Sequence, residues 1–145
     1  MAVYVCQCDA EGIYSIYAAQ DRNYLRGAGI TDAAGPVRFT SVFPACYDGR
    51  WPHIHFEVFS SAEMAVSGKA ALLTSQFALP EAQRRAVCGA QPLYAASVGN
   101  LERISLAGDG MFRDASEQEV AAQMLRLEGD PASGYRATGR VGVLV

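Results

Sequence analysis

An all-β domain, built as a sandwich or a barrel, is the fold class this sequence predicts. Three observations predict it. Short apolar runs alternate with a period of two; turn clusters of Gly, Pro, Asp and Ser separate them; and one stretch alone carries clear helix start and stop signals. The 145 residues, half of them hydrophobic, suit one domain spanning 1–145 with a real core. The net charge is -3 with no basic block, which argues against nucleic acid or an anionic membrane as the main partner. No apolar run approaches the roughly 20 residues needed to cross a bilayer.

The elements follow in chain order. "VYVCQC" reads as a strand and "DAEG" after it as a turn. The chain thus opens on a strand with no polar lead-in or signal region, so an N-terminal segment is expected to be missing, and the compartment is left open. "TDAAG" is a second turn, before "PVRFTSVF", where Val37, Phe39, Ser41 and Phe43 alternate with Arg38, Thr40 and Val42. "HIHFEVF" alternates Ile54, Phe56 and Val58 against His53, His55 and Glu57, and "ALLTSQFAL" is a further apolar run. "PEAQRRAVCG" is the short helix, with Pro at its start, an early Glu and a closing Gly. "SEQEVAAQMLRLEG" is helical by propensity, yet Val120, Ala122 and Met124 also fit a strand leading into the turn "EGDPASG". "GYRATGRVGVLV" ends the chain as a strand with β-branched residues spaced by glycines.

Both histidines of the chain lie in "CYDGRWPHIHFEV". On an extended strand, residues i and i+2 share a face, so His53 and His55 point the same way, roughly 7 Å apart. Two imidazoles at that spacing can grip one metal ion, with Ile54, Phe56 and Val58 anchoring the strand from its other side. Glu57 shares the histidine face, but its spacing does not match a cupin. Tyr47 lies six residues before His53, and Asp48, Gly49 and Pro52 between them make a bend that could return the phenol to the imidazoles. A phenol with a pKa near 10 is a poor ligand at neutral pH unless a hard cation stabilises its anion, and tyrosinate is a ligand for ferric iron. Cys6 and Cys8 share a face as C-x-C, and with Cys46 and Cys88 they read as buried thiols, since no paired zinc spacing occurs. Tyr17, Tyr24 and Trp51 read as packing or pocket wall.

Taken together, "CDAEGIYS", "LRGAGITDAAGPVRFTSVFPACYDGRWPHIHFEV" and "LLTSQFAL" resemble the intradiol ring-cleavage dioxygenases, a family of catechol, protocatechuate and hydroxyquinol dioxygenases with short single-domain members. The joint pattern G-x-Y-S, T-D-x-x-G and Y-x-G-R-x-P-H-x-H carries the resemblance over nearly the whole chain. It implies a β-sandwich of mixed sheets, with one short helix, long loops and the iron at one edge. "SEQEVAAQMLRL" then becomes a strand.

The resemblance also implies one Fe3+ per chain, held by Tyr14, Tyr47, His53 and His55, with Tyr47 and His55 axial. Tyr47 would double as general base, Arg50 would lie over the bound ring, and Gln76 would line its pocket. The implied reaction inserts O2 into a small aromatic diol to give a cis,cis-muconate-type diacid, without an organic cofactor. A homo-oligomer is compatible with it. The sequence departs from the family at Cys6 and Gln7, where Trp and His are common, at Ala45, where glycine is usual, and at Cys46. Ala45 would be strained if its position needed positive φ. Two alternatives stay open: an iron-free binding module of the same fold, and a zinc or ferrous enzyme using His53 and His55 alone.

Overall fold

A computed structural model describes residues 1–144 of the chain. Four strands form the main sheet: β1 (Ala2–Cys6), β2 (Arg26–Ile30), β3 (His53–Phe59) and β4 (Leu73–Ala78), in the order β2-β1-β3-β4. A second sheet is the hairpin β5 (Arg126–Asp130) and β6 (Gly134–Thr138). Two sheets of short strands bear out the predicted β class. Every pairing between these strands is antiparallel, so the sheets are not mixed. The predicted final strand ends early at Thr138, and its last residue, Val145, lies outside the described residues.

Helix content exceeds the single short helix expected. The segment expected to be helical is α2 (Glu81–Ala90), but α1 (Ala62–Val66), α3 (Ala95–Arg103) and α4 (Glu117–Gln123) are helical too. α4 corrects the strand reading of "SEQEVAAQMLRL". Ser116 accepts from the Glu119 amide while the Glu119 side chain accepts from the Ser116 amide, a reciprocal cap that starts a helix before the strand begins at Arg126. Local capping wins over the first half of the segment and hairpin pairing over the second. α3 carries no side-chain cap and has Gly99 in its interior, so the sequence announces it weakly.

"PVRFTSVF" forms no strand, despite its alternation. β1 is already paired on both sides, and side chains take up carbonyls of this segment instead. Gln7 Nε2 donates to Val42 O at 2.7 Å and the Tyr94 hydroxyl to Phe43 O at 2.7 Å. Val37 and Phe39 pack over Gly29 of β2, where a Cβ would stand 2.5 Å from Val37 Cγ2. The glycine is therefore needed for that close approach.

The core lies behind the segment that carries Tyr47. Cys8, Ala45, Cys46, Val87, Tyr94 and Leu101 are buried together, joining α2 and α3 to the loop after β1 and to the segment before Tyr47. A second cluster packs Trp51 with Ala78 and Phe112, and the Arg84 guanidinium lies 3.8 Å over the Trp51 ring. Among the described residues, no helix is long and apolar enough to cross a membrane.

Candidate metal centre

The two histidines come from β3, where alternation turns both to one face of the sheet. Register places Cys6, His55 and Gln76 in one row across β1, β3 and β4. Gln76 is therefore the direct cross-strand neighbour of a candidate ligand.

Tyr14 arrives on a turn built around Asp9. The Asp9 carboxylate accepts from the amides of Glu11 and Ile13 at 3.0 and 2.9 Å, and from the Tyr24 hydroxyl at 2.8 Å. Gly12 sits at φ +86, and a Cβ there would stand 2.9 Å from Tyr47 Cβ. Glycine is thus required both for the backbone conformation and for the approach of the two tyrosines. Beyond Tyr14 the backbone is strained: Ile16 takes φ 71, a rare value for a β-branched residue. Buried Ser15 holds the loop, donating to Tyr24 O at 2.6 Å, while Arg26 donates to Ser15 O at 2.7 Å.

Tyr47 is held from behind by α3. Ser97 Oγ accepts from the Cys46 amide at 3.0 Å, and Asn100 Nδ2 donates to the Cys46 carbonyl at 2.8 Å. The bend expected between Tyr47 and His53 is present, with Gly49 at φ 75. Ala45 is not strained: among the described residues, Ile16 and Leu25 are the non-glycine positions with positive φ.

Four donor atoms meet. His53 Nε2 lies 3.0 Å from His55 Nε2, 3.2 Å from the Tyr14 hydroxyl and 3.4 Å from the Tyr47 hydroxyl. His53 Nδ1 lies 2.6 Å from Trp51 O and must donate to it, which leaves Nε2 as a bare acceptor. One in-plane lone pair cannot satisfy three close neighbours by hydrogen bonding. Two ligand atoms each ~2.1 Å from one ion, and separated by right or tetrahedral angles, stand about 3.0–3.4 Å apart. The three spacings from His53 Nε2 have that value, as expected of donors that share one cation.

The electrostatics agree. Burial lowers the His53 pKa to about 4 and lowers that of His55, so both imidazoles are neutral and free to ligate at neutral pH. Burial raises the pKa of both Tyr14 and Tyr47 above the usual phenol value; at Tyr47, Arg50 works in the opposite direction. Without a cation both phenols stay protonated. A hard, highly charged ion is what would turn them into phenolates. Among the described residues, no group of three or more His, Cys, Asp or Glu is placed to hold a metal. The candidate site depends on its two tyrosines, and Glu57 does not join the two histidines as a third ligand.

Arg50 and Gln76 stand beside these four. Arg50 donates to Gln76 Oε1 at 2.8 Å and lies 3.5 Å from the Tyr47 hydroxyl. Gln76 Nε2 is buried and has no partner. The sequence reading missed Asp109, which accepts from Arg50 Nε at 2.9 Å, from the Trp51 amide at 2.7 Å and from the Met111 amide at 2.8 Å. A lone aspartate 59 positions from its partner leaves no local signal. All four cysteines are buried free thiols, as expected. A cavity of about 530 Å³ opens at the centre, with Tyr14, Tyr47 and His55 in its wall.

Neither a family model nor a curated protein matches the sequence. Solved structures do match. An intradiol ring-cleavage dioxygenase from Tetranychus urticae aligns at 24% identity and TM-score 0.78, over 98% of this chain and 70% of that one. The dioxygenase Tetur07g02040 aligns at 24% identity and TM-score 0.75, over 94% of this chain and 66% of that one. The dioxygenase domain of a dioxygenase–carbohydrate-binding fusion from the cellulolytic bacterium Streptomyces sp. SirexAA-E aligns at 22% identity and TM-score 0.53, over 94% and 62%. The chain thus spans about two thirds of the length of these proteins, and what the likeness establishes is its architecture: it has the β-sandwich fold of solved dioxygenases.

Proposed function

We propose that this chain is a non-haem ferric dioxygenase of the intradiol type, acting on a small aromatic diol and O2 to give a cis,cis-muconate-type diacid. The observation that carries the reading is the convergence of two phenol oxygens and two imidazole nitrogens within 3.0–3.4 Å about His53 Nε2. Tyr14, Tyr47, His53 and His55 would hold one Fe3+ per chain. When bound, ferric iron withdraws electron density from a catecholate and makes its ring reactive toward O2.

The chain's own residues have separate tasks. The Tyr47 oxygen accepts a proton from the incoming diol, a task suited to a phenolate whose ordinary pKa is near 10. Arg50 lies close enough to Tyr47 to stabilise negative charge that develops on the ring, and Asp109 holds it there. Gln76 keeps its buried amide as a free donor for a substrate oxygen, since its carbonyl is already taken by Arg50. Trp51 O fixes the ring orientation of His53 through Nδ1. The two tyrosine oxygens so near His53 Nε2 weigh against a zinc or ferrous site made by two histidines alone.

The test is purification followed by ferric loading. The expected result is one iron per chain, a visible tyrosinate charge-transfer band, and catechol and O2 consumed in equal amounts with a ring-opened diacid as product. A protein that stays colourless after ferric loading would support the iron-free binding module instead, and zinc in the metal analysis would support the histidine-only site.

A further inference from the structure

The cavity at the metal centre is larger than a bare catechol needs. Its volume of about 530 Å³ lies within the roughly 300–1,000 Å³ typical of pockets for many-atom ligands. From Tyr14, Tyr47 and His55 it continues along β3 to Tyr4, Glu57, Phe59 and Thr74. Register explains the path. Tyr4, Glu57 and Thr74 form the next row on the same face of the sheet, one pleat repeat, or ~7 Å, beyond the row of Cys6, His55 and Gln76.

Glu57 is the one formally charged side chain in that wall. It is half-buried, and no hydrogen bond or ion pair reaches its carboxylate among the described residues. The nearby cation, Arg26, is committed elsewhere. It donates to the Tyr4 hydroxyl at 2.6 Å and to Ser15 Oγ at 3.0 Å and Ser15 O at 2.7 Å, and it lies 5.1 Å from the Tyr17 ring centroid. A half-buried carboxylate without a partner favours a cation beside it and repels an anion.

We propose that the substrate is a catechol bearing a short side chain that ends in a protonated amine, seated at Glu57, and that catechols ending in a carboxylate there are rejected. The proposal rests on the dioxygenase reading above. The ring would occupy the end of the cavity at His55, and the side chain would bridge the ~7 Å to the next row. An alkylamine stays charged at neutral pH, with a pKa near that of lysine, about 10.4. The Tyr4 and Thr74 hydroxyls flank it as further polar groups.

Three catechols of similar size test this: 4-(2-aminoethyl)catechol, 4-propylcatechol and 3-(3,4-dihydroxyphenyl)propanoate. Each is titrated without O2 into the ferric protein by calorimetry, and then each is turned over in air. The amine is expected to bind about tenfold more tightly than the propyl compound, and the carboxylate about tenfold more weakly. Added salt should narrow both gaps in the parent protein, and E57Q should bring the amine-to-propyl ratio close to one. Equal binding of all three by the parent, or a ratio that survives E57Q, overturns the amine preference and leaves the dioxygenase reading standing. Binding of none of the three overturns both.

Discussion

Arg50 and Asp109 form an ion pair with unequal exposure: the guanidinium side chain is 22% exposed and the carboxylate is fully buried. The same Oδ2 that meets Arg50 Nε at 2.9 Å also accepts from the Trp51 amide at 2.7 Å. One carboxylate oxygen thus fixes both the arginine beside the Tyr47 hydroxyl and the residue whose carbonyl orients His53. D109A is expected to lower stability by about 1–3 kcal/mol, because it leaves the buried Trp51 amide without its acceptor while Arg50 keeps some access to water. Urea unfolding of the metal-free protein measures it, and a loss below about 1 kcal/mol would show that the pair is not structural.

The same residue gives a pH dependence. Burial raises the Asp109 pKa, but hydrogen bonds from the Met111 and Trp51 amides and from Arg50 outweigh it and hold the carboxyl below its ordinary value. A depressed carboxyl contributes stability above the unfolded pKa of ~3.9 and loses it as pH falls through the folded value. The parent should therefore lose stability below about pH 4 more steeply than D109N does. Identical acid limbs for the two proteins would contradict this.

If the proposed ferric site forms, Tyr47→Phe and Tyr14→Phe should each alter its visible band, because each would remove one proposed phenolate ligand. Only Tyr47 is also assigned a proton-accepting role, so Tyr47→Phe should slow turnover by about 10²-fold or more. Arg50→Ala should keep the band and lose about 10²–10³-fold in kcat. Stopped-flow absorbance and O2 uptake separate the two effects, and parent-like kinetics in Arg50→Ala would remove that residue from the mechanism.

Gly12→Ala places a methyl group 2.9 Å from Tyr47 Cβ on a backbone at φ +86. The expected cost is about 1–3 kcal/mol of stability, with a displaced visible band because Tyr47 must move. Thermal unfolding and the absorption spectrum check it together; a full loss of stability with an unchanged band would mean that the turn yields and the phenol does not.

Ser116→Ala removes the cap of α4 and should cost about 1 kcal/mol. The helix bears on the site only from a distance, through Gln123 and Ser75 of β4 at 3.1 Å. Chemical unfolding should report the loss while the metal-dependent absorption stays as in the parent.

What the sequence made legible was what local spacing encodes. His53 and His55 share a face because β3 is a strand, and β1, β4 and α2 appear where apolar runs, turn clusters and helix start and stop signals predict them. The turn after Tyr47 follows from Asp48, Gly49 and Pro52. Long-range satisfaction stayed hidden. Nothing near Arg50 announces Asp109, and nothing in "PVRFTSVF" announces that Gln7 and Tyr94 would claim its carbonyls. In β2, Gly27 and Gly29 obscure the strand pattern, and the close approach of Val37 and Phe39 explains Gly29 only once the fold is known.

Asp9 carries a consequence for how the two phenol-bearing segments are spaced. Its carbonyl accepts from the Ala45 amide at 3.2 Å and from the Gly12 amide at 3.2 Å, so the turn bearing one phenol is stitched to the stretch bearing the other by main chain. The two rings stand edge to face with centroids 5.8 Å apart. The separation of the two phenols is therefore set by peptide hydrogen bonds outside the candidate centre and not by the side chains that meet there.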